Sequence, residues 1–116
     1  MEAGTQRSLA MSNPEVEVEV DEVEIETFAQ QGGVDRAPKA KRYVIRVDKT
    51  KYTVDVAEMT GRQILVLAGK VPAEQYKLTQ KQHGGGAATI QLDDVVDFRA
   101  PGVERFMTLK RDQTEG

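Results

Sequence analysis

The sequence predicts an α+β fold in which one helix packs against one mixed β-sheet. Three observations predict it. A short apolar segment at residues 59–69 carries the start and stop signals of a complete helix. Segments in which apolar and polar residues alternate lie before and after it, as expected for strands. The chain has 116 residues, 39% of them hydrophobic and 30% charged, which suffices for one domain with one core.

The helix is predicted from its two ends. Thr60 is placed to cap the first free amides, and Gln63 is placed to reach back to the amide of Thr60, which is the pattern of a capping box. Gly69 suits a helix end, and Pro72 cannot continue the helix. The segment between them is apolar almost all round, so we expect it to be buried against a sheet. The predicted core comprises Ile45, Val47, Val54, Val56, Ile64, Leu65, Leu67, Ala68 and Leu109.

The segments around the helix are predicted to be strands. Residues 42–57 alternate on both sides of a turn at residues 48–51, which predicts a hairpin. After the helix, the chain is predicted to form a strand at 76–79, a loose loop at 83–86, a short strand or bend at 89–92, a capped helical turn at 93–98 and a last strand at 103–110.

The N-terminal third differs from the rest in charge. Residues 1–40 hold nine acidic and three basic groups, a net charge of −6, whereas residues 41–116 hold ten acidic and thirteen basic groups, a net charge of +3. We expect residues 1–40 to be a flexible arm that ends in a linker at 30–40. Acidic and β-branched residues alternate within the arm, which predicts a strand at 15–26 wherever the arm is ordered.

Two interpretations of this alternation remain open. In the first, the arm adds itself to a sheet edge, either of its own domain or of another copy, which would give self-association. In the second, it is a solvated acidic tail. The first interpretation assigns the interaction to Val16, Val18, Val20, Val23 and Ile25.

Composition excludes several classes of site. The chain has no Cys, which excludes disulfides, thiolate metal sites and thiol nucleophiles and suits a reducing compartment, so we expect the cytoplasm. No apolar run approaches the roughly 18 to 20 residues of a membrane span, and no signal-peptide pattern is present. The basic residues are dispersed, with few aromatic residues among them. We therefore expect neither a membrane nor a nucleic acid as a partner.

The remaining polar residues predict no catalytic or metal site. His83, the only histidine, lies in a glycine-rich segment, and we expect it to be an exposed loop residue. Asp93, Asp94 and Asp97 lack the spacing of a calcium loop, and Asp93 is expected to cap the turn that follows it. No nucleophile and base can be paired by a spacing rule. We therefore predict that the chain is not an enzyme, has no cofactor and has no metal site.

A hairpin, a helix, short strands and a long last strand follow one another in the order of a ubiquitin-type β-grasp domain. A closer likeness rests on Tyr52, residues 60–65, Ala68, Gly69, residues 93–97 and residues 102–106. Through these residues the chain resembles, over 42–111, the repeat of the bacterial multiubiquitin family, although it carries one such domain where that family carries several. The predicted organisation is a flexible arm at 1–40, a ubiquitin-like domain at 41–111 and a free tail at 112–116.

The resemblance implies a bacterial ubiquitin-like modifier. Such proteins are adenylated at their C-terminal carboxylate by an activating enzyme, passed to the thiol of a conjugating enzyme and joined to a target amine, and a deconjugating protease reverses the isopeptide bond. It implies that Gly116 is the conjugated residue, whose missing Cβ leaves the acyl carbon unshielded. Arg111 and Glu115 then belong to the tail that these enzymes recognise. The resemblance also suggests a role in antiviral defence.

Two other functions remain open. One is a non-covalent interaction or self-assembly module that acts through a sheet edge and the acidic arm. The other is a sulfur carrier with a C-terminal thiocarboxylate. Sulfur carriers normally end in paired glycines, whereas Glu115 precedes Gly116 here.

Overall fold

The computed structural model describes residues 19–32 and 35–111. Two α-helices and eight strands are present in these ranges, together with a short 3-10 helix at Ala73–Gln75. In chain order they are β1 (Val20–Glu24), α1 (Ile25–Gly32), β2 (Ala40–Val47), β3 (Thr50–Val54), β4 (Glu58–Thr60), α2 (Gly61–Leu67), β5 (Tyr76–Gln82), β6 (Ala87–Ile90), β7 (Val95–Asp97) and β8 (Val103–Lys110).

Six of the strands form one mixed sheet. Its order is β1-β2-β8-β5-β6, with β3 paired to β2 as well, while β4 and β7 form a separate antiparallel pair. β1 and β8 run parallel to β2, whereas β3 is antiparallel to β2 and β5 is antiparallel to both β6 and β8. The α+β class predicted from the sequence is therefore confirmed, with a second helix that the sequence analysis did not predict.

Helix α2 begins with the capping box that the sequence predicts. The Gln63 amide donates to Thr60 Oγ1 at 3.1 Å, and the Thr60 amide donates to Gln63 Oε1 at 2.8 Å. Gly69 follows the helix with φ of 77°, a left-handed conformation that glycine adopts without a steric penalty. Ile64 and Leu65 are fully buried, so α2 packs on the sheet as expected.

The core lies between α2 and one face of the sheet. Alternate residues of β2 point into it, and Phe98 stacks edge-on against Phe106 with ring centroids 6.2 Å apart. Among the predicted core residues, four are buried and three are partly buried against the core: Ile45, Val47, Ile64 and Leu65, and then Val54, Leu67 and Ala68.

The core prediction was wrong for Val56 and Leu109, which are 45% and 68% exposed. Val56 lies beyond the end of β3, where the alternation of that strand no longer applies. Thr108, the residue before Leu109, pairs with the buried Leu78. Because successive side chains of a strand point to opposite faces, Leu109 points away from the core.

The helical turn predicted at residues 93–98 was also wrong. The Asp94 carboxylate accepts a hydrogen bond from the Gln91 amide at 2.8 Å, which closes a turn, and the chain then enters β7. Val96 is buried while Val95 is 62% exposed, which is the period of a strand. Asp93 therefore caps no helix.

The N-terminal region differs most from its prediction. Residues 25–32, predicted as the end of a strand followed by a linker, form α1. Ile25, Phe28 and Ala29 lie at positions i, i+3 and i+4 and form the packed face of this helix. The strict alternation before Ile25 concealed this pattern. Of the strand predicted at 15–26, residues 20–24 form β1 and residues 25–26 belong to α1. Residues 15–18 lie outside the described residues.

Candidate functional site

The chain leaves the sheet at the end of β8. Lys110 pairs with Tyr76, and the Arg111 amide then donates to the carbonyl of Gln75 at 2.6 Å. Arg111 is the last described residue, so Glu115 and Gly116 lie outside the described residues. The structure therefore places the chain up to Arg111, beside Gln75, where β5 begins and β8 ends.

A hairpin turn fixes β8 just before that point. Asp48, in the turn between β2 and β3, accepts hydrogen bonds from the Thr108 amide at 2.9 Å and from the Thr108 hydroxyl at 2.7 Å. Lys70 lies 4.0 Å from Asp48 Oδ2 and 5.9 Å from the centroid of the Tyr76 ring. β8 is therefore held by the turn at Asp48 through Thr108 and by β5 as far as its last residue, Lys110.

The second feature is the position of β1. It pairs in parallel with β2, with Val20 opposite Ala40, Val23 opposite Tyr43 and Glu24 opposite Val44. β3 pairs with β2 at Tyr43 and Val44 as well. Because a strand has two edges, β1 occupies the edge of β2 that is opposite β3.

β8 uses that same edge, since Val47 pairs with Phe106 on one side and with Thr50 of β3 on the other. Before β2 begins, the Ala37 amide donates to the Arg99 carbonyl at 2.9 Å. Residues 99–106 therefore contact the strand β2 and the residues before it at two places, through Arg99 at Ala37 and through Phe106 at Val47. β1 pairs with residues 40–44, which lie between these two places. We call the edge of β2 at residues 40–44 the slot, and residues 20–32 the docked arm.

Buried side chains hold the docked arm. Val23, Ile25 and Ala29 are 8%, 2% and 3% exposed, and Val20 is half-buried. Val23 shares the face of its partner Tyr43, so it joins the main core. Three of the five predicted interaction residues thus lie in the arm and contact their own chain, whereas Val16 and Val18 lie outside the described residues.

Ion pairs to three strands add to this burial. Glu24 lies 3.0 Å from Lys51 of β3, and the hydrogen bond from Lys51 is the main cause that lowers the pKa of Glu24. Glu26 lies 3.1 Å from Arg46 Nε of β2 and 2.6 Å from Arg105 Nη2 of β8. The buried Nε of Arg46 is within ion-pair distance of Glu26 without the alignment of a hydrogen bond.

The ion pair between Arg105 and Glu26 was not predicted from the sequence. They are 79 positions apart, and no local spacing relates them. The available signal was the opposite charge of the two regions, which indicates attraction without identifying partners.

A third polar cluster surrounds Glu104, whose side chain is 5% exposed. His83 Nδ1 lies 2.9 Å from Glu104 Oε2, and Lys81 Nζ lies 3.2 Å from Oε1. The hydrogen bond with His83 is the main cause that lowers the pKa of Glu104. His83 is half-exposed, as expected for a loop residue, but it has an acidic partner that the sequence analysis did not predict.

Two of the acidic residues that were weighed as calcium ligands, Asp94 and Asp97, form hydrogen bonds within the chain instead. Asp94 closes the turn described above, and Asp97 accepts from Arg36 at 2.9 Å. Within residues 19–32 and 35–111, no three His, Cys, Asp or Glu side chains gather closely enough to hold a metal ion.

Comparison with known proteins gave one family. The model of the Multiubiquitin family matches residues 43–111, which is more than half of the chain. The match includes β3 to β8 and most of β2, and it leaves out the docked arm. Searches of curated proteins and of solved structures gave no match. None of the helices in the described ranges is long and apolar enough to cross a membrane.

Proposed function

The chain belongs to the multiubiquitin family, which is ubiquitin-like, and on this premise we propose that it is a ubiquitin-like protein modifier of a bacterial conjugation pathway. In this proposal the carboxylate of Gly116 is activated and then joined to an amine of a target protein. The reaction forms an amide and releases the activating group, so the modifier supplies the acyl carbon and no catalytic side chain.

The observation that carries the proposal is the way the chain leaves the sheet. Leu109 is 68% exposed, Lys110 is exposed, and the last described backbone bond of the chain is the one that Arg111 donates to Gln75. Residues 112–116 follow that bond, and they end in a glycine. A glycine adds no Cβ beside the carboxylate, which suits passage through a narrow active-site channel.

The partners in this proposal are an activating enzyme, a conjugating enzyme, a deconjugating protease and the target. The structure favours an acidic surface on the enzymes that receive the tail. Lys70, Lys77, Lys110 and Arg111 lie at this end of the sheet. The acids near them are already paired, Asp48 with Thr108 and Glu74 with Arg62. Exposed charges of this kind mainly raise the association rate and select the orientation of binding.

A conjugation assay tests the proposal. The protein is incubated with its activating and conjugating enzymes and ATP, and linked products are counted by mass spectrometry for the wild type, a Gly116 deletion and Gly116→Val. We expect the deletion to abolish linked products and Gly116→Val to slow their formation. The matched control is Gly86→Ala, because a Cβ at Gly86 meets its nearest neighbour at an ordinary 3.8 Å. An unchanged yield from the deletion variant would contradict the proposal.

A second candidate function is a non-covalent interaction module. The parallel pairing of β1 with β2 favours it, because a strand outside the family match occupies this edge of β2, and another strand of similar pattern could pair there in the same way. Such a module would not depend on residue 116. The same deletion therefore separates the two functions.

A further inference from the structure

We propose that the slot is an exchange site, in which the docked arm of one copy fills the slot of a second copy and links the two chains. This inference goes beyond the proposed function and does not depend on Gly116. It rests on the contacts of the arm, on the way the domain begins and on the distribution of charge.

The contacts of the arm are independent of which chain supplies it. They join residues 20–29 to β2, β3 and β8 through the backbone pairs, the buried side chains and the ion pairs described above. An arm from a second copy would make the same contacts in the same register. Exchange therefore changes the connectivity between chains and leaves the number of contacts unaltered.

The domain begins at a point that is fixed without the arm. Ala37 is 3% exposed and bonds through its amide to the Arg99 carbonyl, while Arg99 Nε donates to the Ala37 carbonyl at 3.0 Å. Arg36 pairs with Asp97 at 2.9 Å. These contacts hold the chain immediately before β2 whether the slot is filled or empty. The arm is thus connected to a fixed point through residues 33–35, which follow Gly32 and begin with Gly33.

An empty slot is unfavourable, which drives its refilling. It would expose the backbone groups of β2 that now pair with β1, and an open strand edge of this kind readily pairs with another chain. It would also leave Arg46, Lys51 and Arg105 without the carboxylates of Glu24 and Glu26. The occupant that meets both requirements is a segment with the alternation and charge of the arm itself.

Charge supports an encounter between copies. The docked arm holds four acidic residues and no basic residue, and residues 41–116 carry a net charge of +3, so an arm that has left its own slot is attracted to the domain of another copy. The arm of the same chain competes at an effective concentration on the order of millimolar, as expected for a short linker. Exchange should therefore increase with protein concentration.

Cysteine trapping tests the proposal, because the natural chain contains no Cys. Val20 and Ala40 are opposite each other in the β1–β2 register. A Val20→Cys chain and an Ala40→Cys chain are mixed at high protein concentration and oxidised, and the mass of the heterodimer identifies a disulfide between the two variants. This bond forms efficiently only when the arm of one copy fills the slot of the other. The control mixture is Val95→Cys with Ala40→Cys, since Val95 is 62% exposed and lies outside the slot.

We expect the register pair to yield on the order of tenfold more heterodimer than the control pair, with a yield that rises with protein concentration. A chain that carries both Val20→Cys and Ala40→Cys shows that docking survives these substitutions, because it cross-links within itself at low concentration. Equal heterodimer yields from the two mixtures would overturn the proposal.

A variant lacking residues 33 and 34 provides a second measurement. It shortens the connection between α1 and the fixed point at Arg36, which disfavours docking within one chain and favours exchange. Light scattering should then show a shift from monomer to dimer or larger assemblies. A folded variant that remains monomeric with the amides of residues 20–29 unprotected from hydrogen exchange would contradict the proposal.

Discussion

The carboxylate of Glu26 accepts two hydrogen bonds from the guanidinium group of Arg105, from Nε at 3.0 Å and from Nη2 at 2.6 Å. Glu26 belongs to the docked arm, and Arg105 belongs to β8, the last described strand of the chain. The family match begins at residue 43, so this pair joins a segment outside the match to a strand inside it. The arm is consequently part of the folded unit of this chain.

Replacing Glu26 by Ala should destabilise the protein. Glu26 is 8% exposed, and its loss leaves Arg105 without its partner and Arg46 with one fewer acidic neighbour. Hydrogen bonds to charged groups contribute about 1.5–3 kcal/mol, so urea unfolding should show a loss of that size. Glu22→Ala is the control, since Glu22 forms an exposed pair with Arg42 at 3.4 Å and should change stability by less than about 1 kcal/mol. Equal losses would show that Glu26 does not anchor the arm.

Gly61→Ala should also destabilise the protein, although alanine favours helices. A Cβ at Gly61 would lie 2.4 Å from the backbone oxygen of Gln91, in a segment held by hydrogen bonds from the Gly61 amide to Asp94 and from the Arg62 amide to Leu92. Overpacking of this kind costs about 1–3 kcal/mol. The comparison is with Gly86→Ala in thermal or urea unfolding. A Gly61→Ala variant as stable as Gly86→Ala would show that this contact can relax.

The sequence predicts most of the domain from local signals. The ends of α2 follow from Thr60, Gln63 and Gly69, and the last strand follows from alternation along residues 103–110. The errors arise where tertiary contacts decide the structure. Leu109 has the apolar character of a core residue, but its position in the β5–β8 register places it on the outer face. Helix α1 forms where alternation gives way to helical spacing, and its buried face depends on β2 and β8.

Leu65→Ala should lower the free energy of unfolding, because Leu65 packs helix α2 against the core. Leu65 is 0% exposed, and truncation of a buried leucine costs about 2–5 kcal/mol. The neighbouring Val66 is 53% exposed, so Val66→Ala should change stability by about 0.5 kcal/mol or less. The measurement is the free energy of unfolding in urea. Similar losses for the two variants would contradict the described orientation of α2.

Glu104 should contribute to stability in a pH-dependent way. Its pKa in the folded protein is lowered from a reference value of 4.5, first by the hydrogen bond with His83. The contribution is therefore complete above the unfolded pKa, and it is lost as the pH falls through the lower folded pKa. Wild type should be more stable than Glu104→Gln at about pH 6 to 7, and the difference should shrink as the pH falls below about 4.5.

The salt dependence of stability should distinguish the buried Glu104 carboxylate from an exposed ion pair. Glu74 also has a lowered pKa, caused first by its hydrogen bond from Arg62, but this pair is exposed. The stability difference between wild type and Glu74→Gln should therefore fall in high salt, while the difference for Glu104→Gln should persist. A stability difference for Glu104→Gln that does not vary with pH would contradict the assigned role of the carboxylate.

The candidate site is less predictable than the fold. The recognition role of Arg111 stays a prediction; the structure shows only that its amide bonds to the Gln75 carbonyl just beyond β8. The slot was not predicted from the sequence. The slot exists because β1 and β8 pair with the same edge of β2. Local sequence patterns do not determine which strands become neighbours in a sheet. The pairing of Glu104 with His83 likewise depends on the irregularity between Lys81 and Gln82 in the β5–β8 register.

The proposed attachment of Gly116 to a target amine is tested most directly by sequencing the linked peptide. Arg111 is the last basic residue, so trypsin should leave the five residues Asp-Gln-Thr-Glu-Gly on the acceptor. Conjugation is carried out with the partner enzymes and ATP, and the tryptic digest is analysed by tandem mass spectrometry. We predict a branched peptide in which the Gly116 carbonyl is bonded to a lysine or an N-terminal amine of the target. Linked products that lack this remnant, or a complete reaction mixture without linked products, would contradict the account.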